Sequence, residues 1–178
     1  MGSQPRPVAL LLGSNIAPEA NLRAAVRELS SRYWILKTSQ VWESPAMGGE
    51  GQDYLNMAVL ILSQQDPAEL KYGVLRPIET RLGRVRSRDK FAARPIDIDV
   101  VAQAGQALDP NLWKYAYAAV PVSEILPELT LPPSRERLAI AAERLRRRSP
   151  IRLHWGKGSR LALISQPDEL SLPGTSRT

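Results

Sequence analysis

The sequence predicts an α+β fold: a ferredoxin-like antiparallel sheet in the order βαββαβ, with helices on one face and a C-terminal extension. Three observations carry this. Short apolar runs of strand length recur between turn residues, two stretches carry helical periodicity with proline at their starts, and the order of these segments along the 178 residues is β-α-β-β-α-β. At this length one domain buries roughly 70% of its unfolded surface, so the core needs no staple. We assign residues 1–149 to the domain and 150–178 to the extension, whose order the sequence leaves open.

Met1 to Pro7 reads as a loose leader. Val8 to Leu12 is continuously apolar and stops at Gly13, the pattern of a buried strand. Pro18 suits the first turn of a helix reaching about Ser31, with Leu22, Val26 and Leu29 on one stripe. Trp34 to Glu43 is strand-like and ends at Ser44-Pro45. The glycine-rich stretch Met47 to Gln52 is a loop, and Tyr54 to Leu62 a strand apolar enough to be buried on both sides. Asp66-Pro67 is a helix start, cap followed by proline. The helix should run to Leu82 and close at Gly83, but Pro77 lies inside it and should break or kink it. Pro95 to Val101 is the last main strand, and residues 103–119 have room for a small hairpin. Val120 to Leu131 reads as irregular because prolines punctuate it. Ser134 should cap a basic helix to about Arg148, and weak alternation follows from Pro150.

Composition narrows the function. Without cysteine there is no disulfide, thiolate metal site or thiol chemistry, and the single histidine, His154, excludes a multi-histidine metal site. No apolar run is long enough to span a bilayer, so a soluble cytoplasmic protein is expected. The net charge of +6 and a pI near 10.0 point to an anionic partner.

Ile96-Asp97-Ile98-Asp99-Val100 is the sharpest motif. On a strand, Ile96, Ile98 and Val100 share the core face, and Asp97 and Asp99 project together from the other. Two adjacent carboxylates suit Mg²⁺, which takes one or two of them plus substrate phosphates. Spacing alone fits a merely solvated face equally well. The cations just before them, Arg84, Arg86, Arg88, Lys90 and Arg94, shift the balance, because guanidinium forks match phosphate oxygens. Both aspartates should be removable without cost to the fold. Tyr54 and Asn56 offer a flat ring and a paired donor and acceptor, as a heterocycle requires. Gly13-Ser14-Asn15 reads as a turn. Neither a Walker A sequence nor a Gly-x-Gly-x-x-Gly is present.

Leu12-Gly13-Ser14-Asn15, Ser44-Pro45, Asp53 to Val59, Ile78-Glu79 through Arg86, Arg94 to Asp99 and Val120 to Leu129 follow one another in an order that resembles the folate-pathway pyrophosphokinases acting on 6-hydroxymethyl-7,8-dihydropterin. The likeness spans about residues 8–132. It implies transfer of the terminal pyrophosphate of ATP to the pterin hydroxymethyl group with release of AMP, by a monomer that uses two Mg²⁺ ions. Asp97 and Asp99 match the metal-binding aspartates. Arg84 and Arg94 match catalytic arginines on the ATP phosphates, and Glu79 and Arg86 match residues near the nucleotide. Ser44, Pro45, Met47, Tyr54 and Asn56 fall in the pterin pocket, and Tyr117 matches the aromatic facing Tyr54 across the ring. In four places the chain departs from the family: Phe91 and Ser87 replace a tryptophan and a lysine, Leu108-Asp109 replaces a Pro-His pair, and a later arginine before the pterin aromatic falls near Lys114 or Tyr115. Arg88, Lys90 or Lys114 would then supply the missing nucleotide contacts. A ferredoxin-like RNA-binding module is the competing reading, supported by the arginines at 144–148 but by no stacking motif, so nucleic acid is not the expected partner.

Overall fold

The computed structural model describes residues 4–46, 51–85 and 93–154. The sheet contains β1 (Arg6–Ser14), β2 (Ile35–Thr38), β3 (Trp42–Ser44), β4 (Tyr54–Ser63), β5 (Asp97–Gln103), β6 (Gln106–Ala107) and β7 (Arg152–Leu153). Its order is β6-β5-β1-β4-β3-β7, with β2 also paired to β4, and every pairing is antiparallel. This is the expected ferredoxin-like sheet, with the predicted second strand divided into β2 and β3 along one edge of β4. β1 begins at Arg6, so the leader is shorter than expected, and Arg6 and Pro7 already pair with Ser63 and Leu62.

Alternation along β1 and β4 builds two cores. Leu10, Leu12, Met57, Val59 and Ile61 pack on one face against Leu22, Val26 and Leu29 of α1 (Pro18–Ser30) and Leu70, Leu75 and Ile78 of the second helical stretch. Leu11, Ala58 and Leu60 meet α4 (Ala116–Ile125) and α5 (Leu138–Arg146) on the other face. Helices therefore cover both faces, not one. The reason is α4, which the prolines hide in the sequence. Pro121 lies inside it, yet Ala116, Ala118, Ala119, Val120, Val122 and Ile125 are buried, and that packing outweighs the lost backbone bond.

The second helical stretch resolves the conflict at Pro77. It opens at α2 (Pro67–Leu70) with a full capping box: Glu69 N–H donates to Asp66 Oδ1 at 2.8 Å, and Asp66 N–H to Glu69 Oε2 at 3.1 Å. A wide π-turn over Lys71–Leu75 then leads into α3 (Arg76–Arg81), which places Pro77 in a first turn, where its missing N–H costs little. Gly83, at φ +89°, closes the helix as expected. The small hairpin is real: β5 and β6 turn through Ala104 and Gly105, both at positive φ. Ser134 is not the cap of α5. The chain turns over residues 132–135 and returns to a bridge between Thr130 and Arg137, with Leu138 N–H on Leu129 O at 2.7 Å, so that extended Arg137 precedes the helix, which begins at Leu138. Past residue 149 the chain still contributes to the sheet, since Ile151 is buried and β7 pairs with β3.

Candidate active site

At one level of the sheet Asp97 lies beside Gly13, and Gly13 beside Asn56. All three face the α4 side, past the end of that helix. Glycine between an aspartate and an asparagine leaves the sheet floor open. A Cβ at Gly13 would sit 3.2 Å from Asn56 Oδ1 and 3.9 Å from the Tyr54 ring, so only glycine leaves both side chains undisturbed. Above this floor is a cavity of about 410 Å³. Its walls include Tyr54, Asn56, Ser44 and Pro45 on one side, Asp97, Asp99 and Arg94 on the other, and Tyr117 from α4. Leu11 and Ala46 complete it. Asn56 Nδ2 donates to Ser44 Oγ at 2.9 Å, which fixes the amide and leaves its Oδ1 toward Gly13.

Tyr117 is stacked on Tyr115, with ring centres 5.6 Å apart. Burial, with the carboxylates of Asp109, Asp99 and Asp97 nearby, pushes the Tyr117 hydroxyl up to about 12. Burial also raises Tyr54. Both phenols therefore stay neutral near pH 7 and offer rings and O–H groups, not phenolates.

The charged wall is a connected network. Arg84 donates to Asp97 Oδ1 and, at 2.7 Å, to Glu79 Oε1; Arg94 donates to Asp97 Oδ2. Burial opposes ionisation of Asp97, but the Arg84 contact and the Arg84, Arg94 and Lys71 charges win, and its carboxyl lies below the ordinary range. Burial would likewise lower the Arg84 guanidinium, and Asp97 and Glu79 reverse this. Glu79 is only 1% exposed and lies behind the wall, not on it. It accepts Ile98 N–H at 2.8 Å, and its burial raises its carboxyl despite the cations around it.

Most of the predicted residues converge here. Ser44, Pro45, Tyr54, Asn56, Arg94, Asp97, Asp99 and Tyr117 line the cavity, with Arg84 against Asp97. Lys114 is exposed and is not among the lining residues. Met47, Arg86, Arg88, Lys90, Ser87 and Phe91 lie outside the described residues. Two contributors were missed. Asn15, read as a turn residue, accepts Arg94 N–H on Oδ1 at 2.6 Å, donates its own N–H to Arg94 O at 3.1 Å, and reaches Gln52 O at 3.4 Å. It thereby ties the arginine segment to the glycine-rich loop; its place among the resembling motifs was the available signal. Lys71, 2.6 Å from Asp99, had none, because a π-turn sets where it points.

Carboxylates paired on a strand beneath guanidinium forks, opening on an aromatic slot, define an enzyme that transfers phosphoryl groups from a nucleotide to a small flat acceptor. Known proteins narrow this class. The pattern of the 7,8-dihydro-6-hydroxymethylpterin-pyrophosphokinase family matches residues 9–127, and the chain belongs to that family. It is 37% identical over 142 residues to the 2-amino-4-hydroxy-6-hydroxymethyldihydropteridine pyrophosphokinase of Methylorubrum extorquens, covering 73% of this chain and 89% of that one. Its fold is similar to that of Plasmodium falciparum HPPK-DHPS. A single mutant of that protein aligns with TM-score 0.63 at 10% identity and a triple mutant with 0.62 at 11%, each over 80% of this chain. The chain spans 46% and 44% of those two chains, less than half of each. The family's reaction is pyrophosphoryl transfer from ATP to hydroxymethyldihydropterin, a step of folate biosynthesis.

Proposed function

We propose that the cavity holds 6-hydroxymethyl-7,8-dihydropterin between the Tyr54 and Tyr117 rings, with Asn56 reading its edge and Ser44 and Pro45 beside it; Met47, outside the described residues, is a further pterin contact on the resemblance alone. ATP lies across the charged wall, its phosphates on Arg84, Arg94, Arg86 and Arg88, with Lys114 within reach of the nucleotide. The observation that carries this is Asp97. Both its oxygens are held by arginines at the mouth of an aromatic cavity.

The donor set fits Mg²⁺. Asp97 and Asp99 present hard oxygens from one strand face, and no group of three or more metal-ligating side chains exists among the described residues. Carboxylates completed by phosphate oxygens are the usual Mg²⁺–nucleotide arrangement, and Asp97 and Asp99 would hold the metal, as two ions if the resemblance to the family carries over. Bound there, Mg²⁺ would supply Lewis acidity and offset phosphate charge.

The chain's own residues do the rest. Glu79 orients Arg84, and Asn15 fixes the backbone of Arg94. Arg84 and Arg94, which rest on the Asp97 carboxylate, would turn to the phosphate oxygens once ATP is bound. The pterin hydroxymethyl oxygen attacks the β-phosphorus, the bond from that phosphorus to the α-phosphate oxygen breaks, and AMP leaves with the electron pair. Arg84 and Arg94 meet the charge that develops there. The hydroxyl proton passes to the phosphate oxygens or to water, since Tyr54 and Tyr117 are held as neutral phenols. We read the enzyme as a cytoplasmic monomer. No helix among the described residues is long and apolar enough to cross a membrane.

The RNA-binding alternative loses its main support. Arg144 pairs with Glu136, Arg146 and Arg147 with Glu143, and Arg137 with Glu128. The deciding experiment is AMP release from Mg²⁺–ATP. It should require added 6-hydroxymethyl-7,8-dihydropterin; release without pterin, or none with it, would reject the reading.

A further inference from the structure

Six charged groups form an alternating chain across the wall: Arg94, Asp97, Arg84, Glu79, Lys71 and Asp99. The mechanism above uses all but Lys71. Its ammonium donates to Asp99 Oδ1 at 2.6 Å and to Ile98 O at 2.7 Å, and lies 3.9 Å from Glu79 Oε1. These contacts depend on a local irregularity. In an uninterrupted α-helix, residues eight apart, such as Lys71 and Glu79, are rotated by about 80° from one another. The π-turn over Lys71–Leu75, closed by Arg76 N–H on Lys71 O, takes up one extra residue and restores the in-line spacing of seven. Lys71 and Glu79 then point at the same strand, β5.

We propose that Lys71 is a positioning residue: a built-in counter-ion that occupies Asp99 in the resting site and must be displaced by the divalent cation that Asp99 binds. This rests on the reading of Asp97 and Asp99 as metal ligands. Among the described residues three cations of this chain alternate with three carboxylates, which offsets the repulsion between the two aspartates. A divalent ion arriving at Asp99 competes with an ammonium already there. Lys71 is 22% and Asp99 53% exposed, so the pair is open to exchange and contributes little to stability. The competition makes Asp99 a weak site on its own, filled when phosphate oxygens add to it.

The test is Mn²⁺ titration, read by electron paramagnetic resonance, of the protein saturated with α,β-methylene-ATP, in which the bond that breaks is replaced. Lys71→Met should bind the weaker class of Mn²⁺ on the order of tenfold more tightly than wild type, the effect of removing one nearby unit charge at a part-solvated site. Lys71→Arg, which keeps the charge, should bind as wild type does. Unchanged or weaker binding by Lys71→Met, or equal tightening by Lys71→Arg, would overturn the assignment. Asp99→Asn reports separately on the underlying reading. It should lose that class of Mn²⁺, and if it binds as wild type does, the ligand role of Asp99 falls and the role of Lys71 with it.

Discussion

Asp97 and Asp99 differ in what surrounds them, although alternation places them on one face of β5. Asp97 is 17% exposed and holds two guanidinium groups, one of them the half-buried Arg84; Asp99 is 53% exposed and meets an ammonium. The sequence suggests that both can be removed at no cost to the fold; their surroundings lead us to expect that of Asp99 alone. Asp97→Asn leaves Arg84 facing Glu79 with one counter-charge fewer, so it should lose roughly 1–3 kcal/mol of stability. Asp99→Asn should stay close to wild type in stability, as expected of an exposed pair. Both should lower turnover by on the order of a hundredfold or more. Urea unfolding and AMP-release kinetics on the two variants check this, and equal stability losses would refute the asymmetry. The carboxylate pair was legible from a period of two, and the cation run and Tyr54 from residue type beside it; Tyr117, and Arg84 and Arg94 among the cations, were found only through the resemblance to the family. Glu79 as an organiser behind the wall, and Lys71 beside it, were not legible, since both depend on helical phase.

At the scale of elements, prolines misled most. Pro77 and Pro121 both mark breaks in a sequence reading; one sits just past a π-turn and the other inside a buried helix. Local rules name the conflict but not its resolution, which tertiary packing decides. β7 is another element that propensity could not fix, being two residues long. Its register is set by charge. Arg152 pairs with Glu43 at 2.6 Å, and His154 bridges Glu43 at 3.4 Å and Glu19 at 3.1 Å. β3, which carries Glu43, leads directly into Ser44 and Pro45 of the cavity wall. The Arg152 contact lowers Glu43 from 4.5 to about 2, against a smaller opposing effect of burial and with help from His154. A depressed carboxyl stabilises the fold fully above its unfolded value and loses that contribution as pH falls through the folded one. Wild type should therefore melt above Glu43→Gln by a constant margin at pH 6–7, and the margin should shrink between 4.5 and about 2. A margin independent of pH over that window would show that the clasp does not hold β7.

For the whole molecule, the decisive feature is that the sheet carries one core beneath α1 to α3 and, on its other face, a second core beside the cavity. Leu10 and Leu12 point into the core beneath α1 to α3, and Leu11, between them, lines the substrate cavity on the other side. Neighbouring residues of one strand should therefore report on different properties. Leu10 is fully buried, so Leu10→Ala removes core atoms and leaves a void, which costs about 2–5 kcal/mol. For a chain of this size that lowers Tm by roughly 5–15 °C. The α4 face does not contain Leu10, so pterin affinity measured by calorimetry well below that Tm should be unchanged. Leu11→Ala enlarges a cavity that is already open, so it should cost less stability and weaken pterin binding measurably. The cavity lining comes from β1, β3, β4, β5 and α4 with Pro45, Ala46 and Arg94 beside those strands, whereas Glu79 and Arg84 of the charged wall belong to the α3 stretch packed in the same core as Leu10. Loss of packing around Leu10 should therefore spare the aromatic side of the cavity, which the sheet and α4 hold in register on the other face. If Leu10→Ala lost pterin affinity in proportion to its lost stability, the two faces would be coupled, and the cavity would depend on the core beneath α1 as much as on its own walls.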